Sequence, residues 1–329
     1  MRNHVLFFSN HLRGPRGAAG ARSWHQARHL AQDFDVTVVI PAIDPVTARP
    51  VTPESYAYLP PEVAVRLVPV GENDRRSLKS RARYYLSAVP LQFWLGLTAP
   101  RAQIVLSMGL PVTTLTIAWL SSVWHRCPLV VDVRDMPFEM AGEIGFIKNR
   151  RILRLLIAID SFLLRRAAQI VTNSPRYKPL LVARGVAEDR ITVAMIGHDG
   201  FDVPSDVEIA DWRSRMQAEL GPDVQVIGIF AGTMGAALPI SALIDGATEL
   251  GTDPRVGFVF LGDGQKLPDL WTQATAQGAR IWFAGRVPKQ DVAAACRAAS
   301  STSTVRAIFV SSRTSSSLTS PARSALPRF

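Results

Sequence analysis

Four ionisable side chains, Asp132, Arg134, Asp135 and Glu139, crowd into eight residues directly behind the apolar, β-branched run Leu129-Val-Val. Pro128 precedes that run, which has the character of a buried strand. In an open α/β sheet, ligands bind in the crevice beyond the carboxyl ends of the strands. Carboxylates delivered there can hold and orient a ligand's hydroxyl groups, so the cluster reads as a site in preference to a solvated loop. Helix caps and turns use the same residue types and supply the plainer explanation. Glycine offers a second chemistry. Arg16-Gly-Ala-Ala-Gly-Ala-Arg22 follows an apolar run at residues 5–9 and precedes a helical pattern through Trp24, Ala27, Leu30 and Ala31. Strand, loop and helix N-terminus together can bind an anion at Gly17 and Gly20, because free backbone N–H groups and the helix dipole point at it. A tight turn without chemical consequence explains the same two glycines.

The elements that must position these groups alternate along the chain. Apolar runs at residues 36–40, 63–70, 104–108, 170–173 and 191–195 predict strands, and helical spacing covers residues 75–89, 112–124, 152–166 and 177–183, the last ended by Gly185. Strand and helix alternating at this spacing predict an α/β fold with a parallel, doubly wound sheet. Residues 202–211 are polar, contain Pro204 and suggest a hinge, after which the pattern restarts. Strands at 224–231, 256–261 and 281–284 end respectively in Gly232-Thr-Met-Gly235, Gly262-Asp263-Gly264 and Gly285-Arg286-Val287. A helix through Leu243, Ile244 and Ala247 and an Ala-rich one at 291–299 complete the series. The expected organisation is a first lobe over residues 1–205, a partial second lobe over 206–300 and an atypical tail over 301–329.

Composition sets the bounds. At 329 residues the chain suits two domains, and 47% hydrophobic with 19% charged residues is ordinary globular material. A net charge of +10 points to an anionic partner: a nucleotide, nucleic acid or membrane surface. Arg306, Arg313, Arg323 and Arg328 contribute to it from a tail without any acid, leaving about +6 for the rest. The helix at 75–89 gathers Leu78, Ala82, Tyr85, Leu86 and Val89 on one face with Arg76, Lys79 and Arg83 beside it. Such a basic amphipathic helix can lie in the headgroup layer of an anionic membrane, or pack on the sheet with a solvated basic edge. Cys127 and Cys296 suggest neither a disulfide framework nor a zinc site. No signal peptide is apparent, and the stretch 104–124 is interrupted by Pro111 and hydroxyl residues, so a cytoplasmic location is expected.

The motifs in this order resemble the retaining, GT-B-fold glycosyltransferases of the family 4 (group 1) type, over residues 5–300. The resemblance rests on five stretches. They are the Gly17–Gly20 loop; Val131-Asp-Val-Arg-Asp135 through Glu139; Ile170-Val-Thr-Asn-Ser-Pro175; the run from Gly185 through Ile191-Thr-Val to Gly200-Phe-Asp202; and the turns at Gly232, Gly262 and Gly285. It implies two Rossmann-like lobes and transfer of a sugar from a nucleoside-diphosphate donor to a saccharide or lipid-linked acceptor. It further implies a role in cell-surface polysaccharide synthesis, with no cofactor, no obligatory metal and no nucleic acid partner. By position, Gly232 and Gly235 would approach the diphosphate, with Gly17 and Gly20 facing it. Gly262, Asp263 and Gly264 would belong to the donor site, and Gly285, Arg286 and Val287 would line the base pocket. Asp135 and Glu139 would be the catalytic pair, orienting acceptor or donor sugar. For Asp263 a turn role is the competing explanation.

The chain also departs from the pattern. No cation follows Gly235, Gly197-His-Asp-Gly-Phe-Asp202 replaces the usual Asn-Gly turn, and no Glu occurs after Glu249, so the second-lobe acidic pair is missing. Residues 301–329 hold nine Ser and four Thr but no Gly, Asp, Glu or Lys. That switch predicts an out-of-frame ending and an impaired donor lobe, with a disordered Ser-rich tail as the alternative. A non-catalytic remnant or binding module, and a sugar-nucleotide epimerase on the same fold, remain competing functions.

Overall fold

The computed structural model describes residues 2–14, 21–43, 49–71, 78–109, 112–143, 145, 147–195, 203–235, 239–300 and 310–311. Two compact units divide the chain, Met1–Asp199 and Gly200–Phe329.

In the first unit seven parallel strands form one sheet: β1 (Asn3–Phe8), β2 (Phe34–Pro41), β3 (Val63–Val68), β4 (Ile104–Met108), β5 (Leu129–Val133), β6 (Gln169–Thr172) and β7 (Ile191–Val193). Their order is β3-β2-β1-β4-β5-β6-β7. The winding direction therefore reverses between β1 and β4, and a doubly wound sheet opens its ligand crevice at such a switch. Between the strands run α1 (Ala21–Leu30), α2 (Leu78–Leu97), α3 (Val112–His125), α4 (Pro137–Glu143), α5 (Arg150–Arg166) and α6 (Tyr177–Ala183). Both faces of the sheet are buried. One core holds Leu6, Phe8, Leu115, Val131 and Leu163, and the other Phe7, Trp24, Ala27, Val38 and Ile40. This explains why the strands read as continuous apolar runs. Gly185, at φ 84°, ends α6 with the N–H of Val186 returning to the Leu181 carbonyl at 3.1 Å.

Two expectations are corrected. α2 runs through Pro90 to Leu97, well beyond residue 89, and its buried stripe is Tyr84, Ala88 and Gln92. Leu86, assigned to the apolar face, is 61% exposed. The long C-terminal half sets the phase, because Gly96 lets α2 press against Ser121 of α3 where any Cβ would collide. Arg76 lies outside the described residues. The polar stretch read as a hinge becomes helix from residue 206 onward: α7 (Asp206–Leu220) buries Trp212, Met216 and Leu220. Ser205 caps it, its hydroxyl accepting from the Glu208 N–H while the Glu208 carboxylate accepts from the Ser205 N–H at 2.8 Å.

The second unit carries a parallel sheet of β8 (Val226–Ala231), β9 (Val256–Leu261), β10 (Ile281–Gly285) and the two-residue β11 (Val310–Ser311), in the order β10-β9-β8-β11. α8 (Ile240–Leu250), α9 (Leu267–Ala276) and α10 (Lys289–Ser300) alternate with them. Val310 pairs with Phe230 of β8, so the residues after 300 place a strand beside the first strand of this sheet. The rest of 301–329 lies outside the described residues.

Candidate functional site

At the switch point, the ends of β1, β4 and β5 surround a pocket of about 170 Å³ lined by Ser9, His11, Ser23, Asp132, Arg134 and Asp135 among others. α1 forms one wall, and two ties hold its first turn there. Ser9, just past β1, shares a 2.8 Å hydrogen bond between hydroxyls with Ser23, and both are buried. Arg22 grips Asp132 as a fork, Nε to Oδ2 at 2.7 Å and Nη2 to Oδ1 at 2.9 Å, and Gln26 Nε2 donates to Oδ2 at 2.8 Å. Asp132 is 1% exposed, and such a charge is tolerated only when paired and hydrogen-bonded. Arg134 Nε stands 3.7 Å from the same oxygen. Asp132 is therefore the positioning residue of the cluster: it clamps the first turn of α1 against the end of β5.

Asp135 lies two residues beyond β5, exposed and in the pocket lining. Glu139 is placed differently. In the first turn of α4, its Oε1 accepts from Arg184 Nε at 3.1 Å and from Arg184 Nη2, while Arg184 Nη1 donates to Asp160 of α5. Arg184 thus ties α4 and α5 to the residue that ends α6. Burial pushes the Asp160 carboxyl up, with Arg184 pulling the other way. Glu139 Oε2 is closed off from solvent and has no hydrogen-bond partner among the described residues. The structure brings Asp135 to the pocket and commits Glu139 to the ion-pair network. Arg22 and Arg184, the cations that organise both acids, were not singled out from sequence. The one available hint was Asp160, an acid inside the apolar stripe of an amphipathic helix.

Gly17 and Gly20 lie outside the described residues. In the second unit, the ends of the adjacent strands β8, β9 and β10 carry the three glycine turns side by side. Backbone bonds lace the first two together: the Met234 N–H donates to the Asp263 carbonyl at 2.9 Å, and the Lys266 N–H to the Met234 carbonyl at 3.0 Å. Crowding explains two glycines there. At Gly262, φ 135°, a Cβ would collide with the Gly232 carbonyl, and at Gly264 with that of Met234. The Asp263 carboxylate accepts from the Gly264 N–H at 2.7 Å, a turn contact. Gly235 is different: among the described residues a Cβ would meet only Thr233 Cγ2, at 3.9 Å. Gly285 is required by its φ of 71°, Arg286 is exposed, and Val287 packs against the core of this unit. The three residues after Gly235 lie outside the described residues. No cluster of His, Cys, Asp or Glu able to hold a metal occurs among the described residues.

Solved structures share this fold. Sucrose-phosphate synthase from Thermosynechococcus elongatus superposes with a TM-score of 0.62 at 13% identity, covering 91% of this chain and 74% of that one. Anabaena Alr3699/HepE in complex with UDP and glucose gives 0.58 at 18% identity, covering 89% and 72%. A glycosyltransferase from Rickettsia africae gives 0.55 at 12% identity, covering 88% and 70%. At these identities they establish the GT-B fold, two Rossmann-like lobes. No match is found among curated proteins. The glycosyl transferase 4-like domain matches residues 17–197, which is more than half of the chain and contains the α1 wall of the switch-point pocket with its lining from Ser23 to Asp135. The chain belongs to the glycosyl transferase 4-like family.

Proposed function

We propose that this protein transfers a sugar from a nucleoside-diphosphate donor to a saccharide or lipid-linked acceptor, as a step in building a cell-surface polysaccharide. The observation that carries this reading is the switch-point pocket, where an exposed carboxylate stands beside a helix N-terminus clamped by a buried Arg22–Asp132 fork. Asp135 there orients a sugar hydroxyl and Asp132 keeps the wall in place. Glu139 acts as a positioning residue through Arg184. The donor's diphosphate lies beside Gly235, where backbone can approach it closely. Lys266, whose N–H is bonded to the Met234 carbonyl, supplies a cation on the facing turn. The complex of Anabaena HepE with UDP-glucose supports beginning with uridine donors.

The test is release of nucleoside diphosphate from a panel of sugar nucleotides, with saccharide and polyprenyl-phosphate-linked acceptors, and analysis of the glycosylated product. Acceptor-dependent release that Asp135→Ala lowers by at least about 100-fold, without loss of fold, supports the assignment. Full turnover by Asp135→Ala would remove that residue from the chemistry. Conversion of free donor to an epimer, with no product on any acceptor, would replace transfer by epimerisation.

A further inference from the structure

α2, α3 and α5 lie side by side over one face of the first sheet, with α3 packed on both neighbours. Their inner sides supply Ala88, Leu115, Ala118, Leu163 and Leu164 to the core. Their outer sides are apolar as well. Trp94 is 62%, Trp124 64% and Leu155 60% exposed, and Leu86, Val123 and Ile152 are exposed beside them. These groups form one surface. His125 Nε2 contacts the Gly96 carbonyl at 2.9 Å, joining the C-terminal ends of α2 and α3 that carry Trp94 and Trp124. Trp119 meets Phe162 edge-on at 5.7 Å, joining α3 to α5. Along α5 the exposed Ile152, Leu155, Ile159 and Phe162 recur every three or four residues as a stripe, with Arg151, Arg154, Arg165 and Arg166 exposed on its flanks.

Charge decides what covers this face. The three helices contain a single acid, Asp160, which is buried and paired with Arg184. A second copy docking by the same face would set arginine against arginine. An anionic bilayer matches it: apolar and Trp side chains enter the acyl boundary while arginines reach the phosphates. A shallow groove of about 380 Å³ at the ends of α3 and α5 is flanked by Arg126 and Arg166. Arg126 holds a left-handed φ of 54° at the end of α3, where glycine is the usual residue. We infer that the outer face of α2, α3 and α5 docks on an anionic lipid bilayer, the groove between Arg126 and Arg166 receiving a lipid phosphate. The exposed stripe on α5 extends this face well beyond the basic helix expected at residues 75–89, whose own Leu86 belongs to it.

Co-sedimentation with unilamellar vesicles tests this on the full chain, without donor or acceptor, so its failure leaves the proposed transfer standing. Vesicles of phosphatidylcholine alone are compared with phosphatidylcholine–phosphatidylglycerol mixtures, each at low and high salt. The expected result is binding to the mixed vesicles, weakened by salt and lost in Trp124→Glu with Leu155→Glu, whose side chains are exposed in the native fold. Arg126→Gly removes one cation while relieving the left-handed backbone, so it keeps the fold and weakens binding about five-fold. No preference for the anionic vesicles, or unchanged binding by both variants, overturns the inference. Self-association abolished by the same substitutions, with no vesicle binding, would assign the face to a second copy and equally overturn it.

Discussion

Asp132 and Asp135 are three residues apart and do different jobs, and the difference is burial. Asp132 is enclosed and makes a two-pronged pair with Arg22, a residue 110 positions away. Removing one partner of such a pair strands the other charge. Asp132→Ala should therefore lower stability by about 3 kcal/mol in denaturant unfolding, whereas exposed Asp135→Ala should change it by less than about 0.5 kcal/mol. Equal losses would mean that the two acids share a structural role. His4 offers a second residue-scale test. Burial, the largest influence, lowers its pKa below the ordinary 6.5, with Asp35 acting in the opposite direction, and its Nε2 contacts Thr37 Oγ1 at 2.9 Å. The unfolded chain then takes up a proton that the folded one refuses. Stability is full above 6.5 and falls as pH drops through and below that value. The unfolding midpoint should follow this slope in the parent and flatten in His4→Gln; a flat parent profile would show that His4 protonates freely in the fold.

At the scale of elements, the glycines separate into those demanded by the chain and those that make room. Gly262 sits where the turn after β9 passes against the turn after β8, at a φ few other residues adopt. Gly262→Ala should destabilise the second unit by on the order of 3 kcal/mol while the first unit's melting is unchanged. Gly235→Ala, where an added Cβ would meet no described residue closer than 3.9 Å, should leave the fold alone and weaken nucleotide binding. The two results together, read by calorimetry and by titration with uridine diphosphate, distinguish backbone packing from ligand approach. If Gly262→Ala were tolerated, the close passage of the two turns would not hold in solution.

For the whole molecule, the cores define what can fold. Two buried clusters are built wholly from residues before 200 and two wholly from residues after it. The first unit has a complete seven-stranded sheet buried on both sides, so residues 1–199 expressed alone should unfold cooperatively and retain the Arg22–Asp132 clamp. A non-cooperative, denaturant-insensitive signal from that fragment would show that its core needs residues beyond 199. No helix among the described residues is long and apolar enough to cross a membrane. The lipid contact inferred above is by a face of the folded first unit, that of α2, α3 and α5.

Sequence alone determined the alternation of strand and helix, because buried parallel strands must be continuously apolar and their ends must be polar or glycine. The resemblance to the family, which the match over residues 17–197 establishes, rests on that same punctuation. The start of α7 was also written locally, in Ser205-Asp-Val-Glu208, and was hidden only by reading polarity as a hinge. Tertiary structure alone decided which acid is exposed in the pocket lining and which are held in ion pairs. Asp132, Asp135 and Glu139 are alike as letters, and their partners Arg22 and Arg184 lie on separate elements that meet only once the sheet is wound. It likewise decided the phase of α2 and which side of α5 is bare: both sides of each helix carry apolar residues, and only the packing of neighbours chooses the side that is covered.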